Sequence, residues 1–186
     1  ADSAEALFKK YDIENVTIQQ IVDACGTSRT TFYRYFKDKY DLMNWVYKRN
    51  VDPIIKIYND GKDIRKLSAE IFEFIKSKKE YFYYITRYNG QNSFFDFVTQ
   101  YGYDYYETAL KNLMKVNKLP YEYTLYIKGY CFAGGNFMID CMRKNCVMDT
   151  DKFAEIIYGM MPITLKNYFN WFLIIRTPID EGIAIA

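Results

Sequence analysis

Four polar side chains close together in this chain have the chemistry to read double-stranded DNA. They are Arg29, Thr30, Tyr33 and Arg34. An arginine guanidinium donates two hydrogen bonds to O6 and N7 of guanine, threonine bonds a base edge or packs on a thymine methyl, and a tyrosine hydroxyl bonds a phosphate. Phe32 and Phe36 share one face of a helix, so the polar side chains project from the opposite face. The spacing predicts a helix that enters a major groove.

A short preceding helix and a tight turn are predicted to position this helix. Thr17 is an N-cap residue type, and the apolar residues after it recur at helical steps. These residues are Ile18, Ile21, Val22 and Cys25. Gly26 ends the helix, because glycine readily adopts the left-handed conformation found at helix C-termini. Thr27 or Ser28 then caps the next helix, which completes a helix-turn-helix pattern.

Positive charge is concentrated on the same segment. Between residues 28 and 49 there are six lysines and arginines but two aspartates, whereas the whole chain carries a formal charge of +2. Asp38 is predicted to cap a third helix, where both the charge of Lys39 and the helix N-terminus favour a phosphate. A basic module on a near-neutral body is typical of proteins that bind DNA through phosphate contacts. On charge alone, a solvated helical face beside a small three-helix core fits equally well.

This segment resembles the N-terminal domain of the TetR family of bacterial transcriptional regulators. The matching run is IVDACGTSRTTFYRYFKDK, residues 21–39, followed by Asp41 and Leu42. The resemblance implies phosphate contacts by Thr17, Tyr33, Tyr35 and Lys39. It implies positions at or near base edges for Thr27, Ser28, Arg29, Thr30 and Thr31. Many members have glycine where Thr30 stands, and its larger side chain bears on the depth and register of docking.

The remainder of the chain resembles a C-terminal domain type found in Firmicutes members of the family. Some regulators near dihydroxyacetone kinase genes carry that type. The resemblance is carried by the spacing of YFYYITRYNGQNSFFDF, by the Leu-Pro pair at 119–120 and by the Tyr-Gly-Met-Met-Pro run at 158–162. These are packing positions, so they indicate a fold and carry little information about a ligand.

The predicted fold class is all-α, because apolar residues recur at helical spacing nearly throughout the chain. An N-terminal three-helix DNA-binding domain is expected at 1–48, and a larger helical domain for dimerisation and an effector at 49–186. About nine helices are expected in total, with Pro162 kinking the last one. Their predicted ranges are 3–11, 17–24, 28–35, 38–58, 63–77, 79–88, 93–117, 121–144 and 151–169.

The composition offers few of the residues that catalysis or metal binding usually needs. Histidine is absent, which removes the usual general base and the commonest nitrogen ligand of zinc. The cysteines lack CxxC spacing and no secretory signal is evident, so reduced thiols in a cytoplasmic protein are expected. They are Cys25, Cys131, Cys141 and Cys146. We expect a protein that is not an enzyme and that holds no cofactor or metal.

Aromatic residues are the other strong feature of the composition. The chain has 20 tyrosines and 14 phenylalanines, with a dense share between residues 72 and 106. One interpretation is an apolar cavity that offers tyrosine hydroxyls to a small effector. The other is ordinary packing, which the absence of a convergent charged group favours. The sequence assigns no ligand-binding residue.

A homodimer is expected, because two copies of one small DNA-reading module reach major grooves about 34 to 36 Å apart. The resemblance implies that the last two long helices of each subunit form a four-helix contact. The predicted interface residues are Gly129, Ala133, Phe137, Phe153, Ile157, Met160 and Met161. The alternative is that these positions belong to the core of the single chain.

The function expected from these features is that of a cytoplasmic regulator that binds a palindromic operator in double-stranded DNA. It would repress transcription by competing with polymerase, and a small-molecule effector would favour a dimer with wrongly spaced recognition helices. The alternative is a helical co-regulator that binds proteins on the same scaffold without binding DNA. The apolar run at 171–175, within the tail 170–186, is too short to span a bilayer, and the tail is expected to pack on the body or on a partner chain rather than attach to a membrane.

Overall fold

The computed structural model describes residues 2–58 and 63–169, and every regular element in this part is helical. The α-helices are α1 (Asp2–Phe8), α2 (Ile18–Cys25), α3 (Arg29–Tyr35), α4 (Lys39–Ile57), α5 (Ile64–Ser77), α6 (Lys79–Ile85), α7 (Phe94–Met114), α8 (Tyr121–Arg143), α9 (Thr150–Met160) and α10 (Ile163–Phe169). A short 3₁₀ helix, Ile13–Asn15, lies between α1 and α2. The all-α prediction is confirmed, whereas the expectation for the apolar tail falls outside the described residues.

Local capping explains where many of the helices begin. At six helix N-termini a side-chain oxygen accepts a hydrogen bond of 2.8 to 3.2 Å from a backbone N–H of the first turn. The capping residues are Thr17, Ser28, Asp38, Asp63, Ser93 and Asp149. Each cap satisfies a donor that has no partner within its helix. Because these residue types are visible in the sequence, the helix starts lie near the predicted ones.

The prediction of a single helix over 151–169 is wrong. The structure ends α9 at Met160 and begins α10 at Ile163. Pro162 has no backbone N–H, and its ring clashes with the preceding turn, so the helix breaks there rather than kinks. The described residues consequently hold ten α-helices, one more than expected. Helix α4 runs through residue 48, so the two predicted domains would share this helix.

The core of the larger helical part is built by α5 packing on α9 and by α7 packing on α8. Phe72 of α5 is fully buried, and its ring stacks on Phe153 of α9 with a centroid distance of 3.8 Å. The α7–α8 contact is close at Gly135, where an added Cβ would lie 2.9 Å from Thr99 Oγ1. This close approach requires glycine.

Helix α6 joins the first helices to this core. Tyr81 Oη donates a buried hydrogen bond of 3.0 Å to the Met43 carbonyl of α4. Lys78, immediately before α6, pairs with the buried carboxylate of Glu5 in α1 at 2.6 Å. A buried carboxylate needs such a partner, because desolvation of an unpaired charge is costly. Both contacts hold the N-terminal helices in a fixed relation to the body of the molecule.

Candidate nucleic-acid interface

Helices α2 and α3 form a compact unit joined by residues 26–28. Gly26 adopts the left-handed conformation, with φ of 60°, and its N–H donates to the Asp23 carbonyl at 3.2 Å. Ser28 Oγ then accepts from the Thr31 N–H at 3.1 Å, which starts α3. At the other end, Thr17 and Gln20 form a reciprocal capping box at the start of α2. The turn therefore has the backbone that the sequence pattern predicts.

The inner face of α3 is fixed by aromatic packing. Phe32 is buried, and its ring centroid lies 5.6 Å from that of Phe36, which in turn lies 5.7 Å from Trp45 of α4. Ile21 and Val22 of α2 are also buried. This small core buries one side of α3 against the rest of the protein, so the opposite side of the helix is exposed.

The outer face of the unit carries most of the predicted DNA-binding residues. The exposed ones are Thr17, Thr27, Ser28, Arg29, Thr30, Tyr33, Arg34 and Tyr35. Thr31 and Lys39 are half-buried. Within this surface the Arg34 guanidinium lies 4.9 Å from the centre of the Tyr35 ring and donates to Tyr35 Oη at 3.2 Å. The arrangement presents planar donors and phenol hydroxyls side by side, the groups that contact base edges and phosphates.

Lys39 differs from the expectation of a free phosphate-binding side chain. Its Nζ donates to the backbone carbonyls of Glu14 and Val16, both at 2.9 Å, and burial lowers the pKa of the ammonium. These bonds tie the start of α4 to the segment that leads into Thr17. Two of the three ammonium donors are thus used within the protein, and one remains for a phosphate. The sequence did not reveal this bonding, because the carbonyls lie more than 20 residues away in the chain.

Replacing Lys39 with alanine is therefore expected to destabilise the protein as well as to affect DNA binding. The Glu14 and Val16 carbonyls would lose a charged donor, which we expect to lower the free energy of unfolding by about 1 to 2 kcal/mol. Urea denaturation at fixed protein concentration measures this loss. Lys37→Ala is the matched control, because Lys37 is exposed. Equal unfolding free energies for the Lys39 and Lys37 variants would contradict the anchoring role.

Further exposed basic residues lie in the same segment, and the sequence indicates them only as positive charge. Lys37 follows α3, and Lys48 and Arg49 lie on α4; all three are exposed. The Arg49 guanidinium lies 4.9 Å from the centre of the Trp45 ring. Their clustering in the segment was the signal that could have identified them, since phosphate contacts need charge without a strict motif.

The described residues contain neither a candidate membrane-spanning helix nor a candidate metal site. Within the described ranges, residues 2–58 and 63–169, no helix combines the length and apolar character that crossing a membrane needs. The same part of the chain shows no group of three or more His, Cys, Asp or Glu side chains arranged to hold a metal ion.

Comparison with known proteins gives partial relatives and a similar fold. HTH-type transcriptional regulators of Staphylococcus aureus strains USA300 and NCTC 8325 are 33% identical to this chain over 70 residues. The match spans 38% of this chain and 38% of the length of those regulators. The solved structure of the dihydroxyacetone kinase operon activator DhaS is similar with a TM-score of 0.62 and 12% identity, over 90% of this chain and 94% of DhaS. At that identity the likeness shows the fold alone.

Two family models cover most of the described residues. Residues 1–46 match the model described as bacterial regulatory proteins, tetR family, which contains the two-helix unit and its exposed face. Residues 62–162 match the model described as transcriptional regulator C-terminal region. The second match alone extends over more than half of the chain, and the first includes the segment that carries the exposed polar side chains of α3. The chain therefore belongs to the TetR family of transcriptional regulators.

Proposed function

We propose that this regulator binds a palindromic operator as a homodimer through the outer face of α3. The observation that supports this most directly is the exposed row Arg29, Tyr33 and Arg34 on a helix whose other side is fixed by Phe32. A recognition helix needs such rigid support from behind and free hydrogen-bonding groups in front. A two-fold dimer would present two copies of this face to successive major grooves.

The proposed dimer contact is the exposed apolar side of α8. Leu125, Gly129, Phe132 and Ala133 are exposed at helical spacing. Met160 of α9 and Ile163 of α10 are also exposed. A contiguous apolar stripe on a helix is costly to leave in water, and the small residues permit close approach of a second helix.

The other predicted interface residues have partners inside the chain. Phe153, Ile157 and Met161 are buried, and Phe137 is half-buried with its ring 5.4 Å from that of Phe153. Side chains that are already buried have little surface to add to a subunit contact. Their positions correspond to the alternative of an intrachain core, and the proposed interface is reduced to Gly129, Ala133 and Met160 with their exposed neighbours.

The proposed regulatory action is repression in the cytoplasm by competition with polymerase for operator DNA. A small molecule is proposed to release the protein by binding in a cavity of the C-terminal part. Tyr47 of α4 lines that cavity, and Lys39 at the first residue of the same helix bonds to the segment before α2. Helix α4 thus offers a direct mechanical link between an effector and the DNA-facing unit. Since DhaS is named an activator, a transcription assay with the operator must be able to detect both activation and repression.

Replacing Arg29 with alanine tests the proposed DNA contact. The operator would first be selected from a random pool of duplexes, where an inverted repeat is expected. Loss of a bidentate contact to guanine should weaken operator binding by about 1 to 3 kcal/mol, roughly 5-fold to 150-fold, with little change for random DNA. Fluorescence anisotropy over a range of salt concentrations measures both affinities.

Arg65→Ala is the control, because Arg65 is an exposed arginine of α5 outside the two-helix unit. It should leave operator affinity unchanged. Equal losses on operator and random DNA for the Arg29 variant would show that Arg29 is not a base reader. If the native protein shows no salt-dependent binding to any duplex, the DNA-binding proposal fails and the protein-binding co-regulator is favoured.

A further inference from the structure

The cavity in the C-terminal part has an unusual lining. It lies among side chains of α4, α5, α7, α8 and α9, is partly open to solvent and has a volume of about 120 Å³. Its walls are mostly apolar or aromatic and include five tyrosines, and among the described residues no charged side chain lines it. The tyrosines are Tyr47, Tyr101, Tyr105, Tyr106 and Tyr130. Any hydrogen bond to a molecule in this space must therefore come chiefly from a phenol hydroxyl.

Several polar groups of the lining are already engaged within the protein. Tyr101 Oη donates to Asp52 at 2.6 Å, Tyr105 Oη donates to the Tyr58 carbonyl at 2.9 Å, and Ser68 Oγ donates to the Ile64 carbonyl at 2.8 Å. Tyr101 and Tyr105 are thereby oriented by acceptors on α4 or just beyond its end. Their donors are not free for a ligand.

Tyr130 of α8 is different. The residue is only 4% exposed, and its hydroxyl has no hydrogen-bond partner among the residues that the structure describes. The Tyr106 ring lies edge-on to it, with a centroid distance of 5.1 Å, and the Tyr106 hydroxyl interacts with it, but the two hydroxyls lie outside the distance and angles of a normal hydrogen bond. Burial raises the pKa of Tyr130, so the hydroxyl keeps its proton at neutral pH. A buried donor without an acceptor is rare in folded proteins and calls for an explanation.

We propose that the cavity binds a small, uncharged, largely apolar molecule that accepts a hydrogen bond from Tyr130 Oη. The volume of about 120 Å³ is somewhat below the roughly 150 Å³ of a cavity that holds benzene, so it admits a single ring, and a small substituent can extend toward the open side. A charged ligand is disfavoured, since the lining that the structure describes offers no counter-charge to offset its desolvation. This inference rests on the proposed effector function and names the class of its ligand.

Three probes separate the parts of this proposal: phenol, toluene and benzoate. Phenol and toluene have nearly the same shape, but only phenol has an oxygen that accepts from Tyr130. Benzoate has a similar ring and a negative charge. Calorimetry and ligand-observed NMR on the full chain without DNA should show saturable binding of phenol, binding of toluene at least about tenfold weaker, and none of benzoate. Binding of benzoate as tight as that of phenol, or no saturable binding of phenol up to its solubility, would overturn the proposal.

Tyr130→Phe is the matched variant, because it removes the hydroxyl and keeps the ring. Phenol binding should fall about tenfold, toluene binding should be unchanged, and the melting temperature should change little, since the hydroxyl makes no hydrogen bond of normal geometry that could be lost. Unchanged phenol binding in this variant would show that Tyr130 is not the recognition group.

Gly134→Leu provides a second variant that does not depend on the hydroxyl. Gly134 lines the cavity, and an added Cβ would lie at an ordinary 3.5 Å from Ile157 Cδ1, so a longer side chain would occupy the space. Both phenol and toluene should then stop binding, and continued binding of either probe would place it elsewhere. These measurements need no DNA, so their failure is distinguishable from a failure of operator binding, which the Arg29 variant tests.

Discussion

Phe132→Asp is expected to convert the proposed dimer into folded monomers and to abolish tight operator binding. Phe132 is 59% exposed on α8, with Gly129 and Ala133 exposed beside it. An aspartate there would be buried in the subunit contact without a partner, which costs several kcal/mol. Losing the second DNA-reading unit should lower operator affinity at least about 100-fold. Sedimentation velocity and fluorescence anisotropy measure the two effects.

The control for this experiment is Val147→Asp. Val147 is an apolar residue that is 85% exposed in the loop after α8, and its change to aspartate should leave both mass and operator affinity unaltered. Because the Phe132 ring also contacts Phe95 edge-on at 5.4 Å, a second variant guards against a folding effect. Ala133→Asp, also at an exposed position, should give the same monomer. Folded dimers with native operator affinity in both α8 variants would refute the proposed contact.

The local architecture of the DNA-facing unit could be predicted from sequence because its determinants are local. Gly26 with its positive φ, Thr17 in its capping box and Ser28 as an N-cap each act within four residues along the chain. Phe32 and Phe36 mark the inner face by their spacing alone. Because these signals act locally, the helix-turn-helix predicted from them is the one that the structure contains.

Assigning apolar faces was harder, because α8 has apolar residues on more than one side. Ile127 and Tyr130 are buried within the chain, whereas Leu125 and Phe132 are exposed. Helical periodicity cannot tell which apolar side meets the same chain and which is left over. Phe153 was predicted to lie at the subunit contact, and the same difficulty applies to it. Its stacking partner Phe72 lies about 80 residues away in the chain, so the sequence does not show that the two rings pack together.

The cavity and the anchoring of Lys39 are tertiary features with no local signal. The abundance of tyrosine was visible, but only the packing of α4, α7 and α8 shows which hydroxyls are satisfied and that Tyr130 is not. A lysine at the start of a helix predicts a phosphate contact. The sequence does not show that Lys39 Nζ also donates to the carbonyls of Glu14 and Val16, which lie more than 20 residues away.

Phe72→Ala is expected to lower the stability of the protein more than any of the substitutions above. Phe72 is fully buried on α5, and its ring stacks on Phe153, which also contacts Phe137 of α8. The three rings connect α5, α9 and α8, so truncation removes the centre of the contact and leaves a cavity. A loss of about 3 to 5 kcal/mol in the free energy of unfolding follows for a buried phenylalanine. Urea denaturation at fixed protein concentration measures it.

Two further variants show whether the loss comes from this packing. Phe72→Leu keeps most of the buried volume and should cost less than half as much as the alanine variant, because the cavity it leaves is smaller. Tyr35→Ala removes an exposed aromatic ring and should change stability by no more than about 0.5 kcal/mol. A loss below about 1 kcal/mol for Phe72→Ala would mean that α5 and α9 can close over the missing ring. In that case the stacked rings would not be what fixes the helices around the cavity, and the shape of the effector site would have to be set by the α7–α8 contact at Gly135 instead.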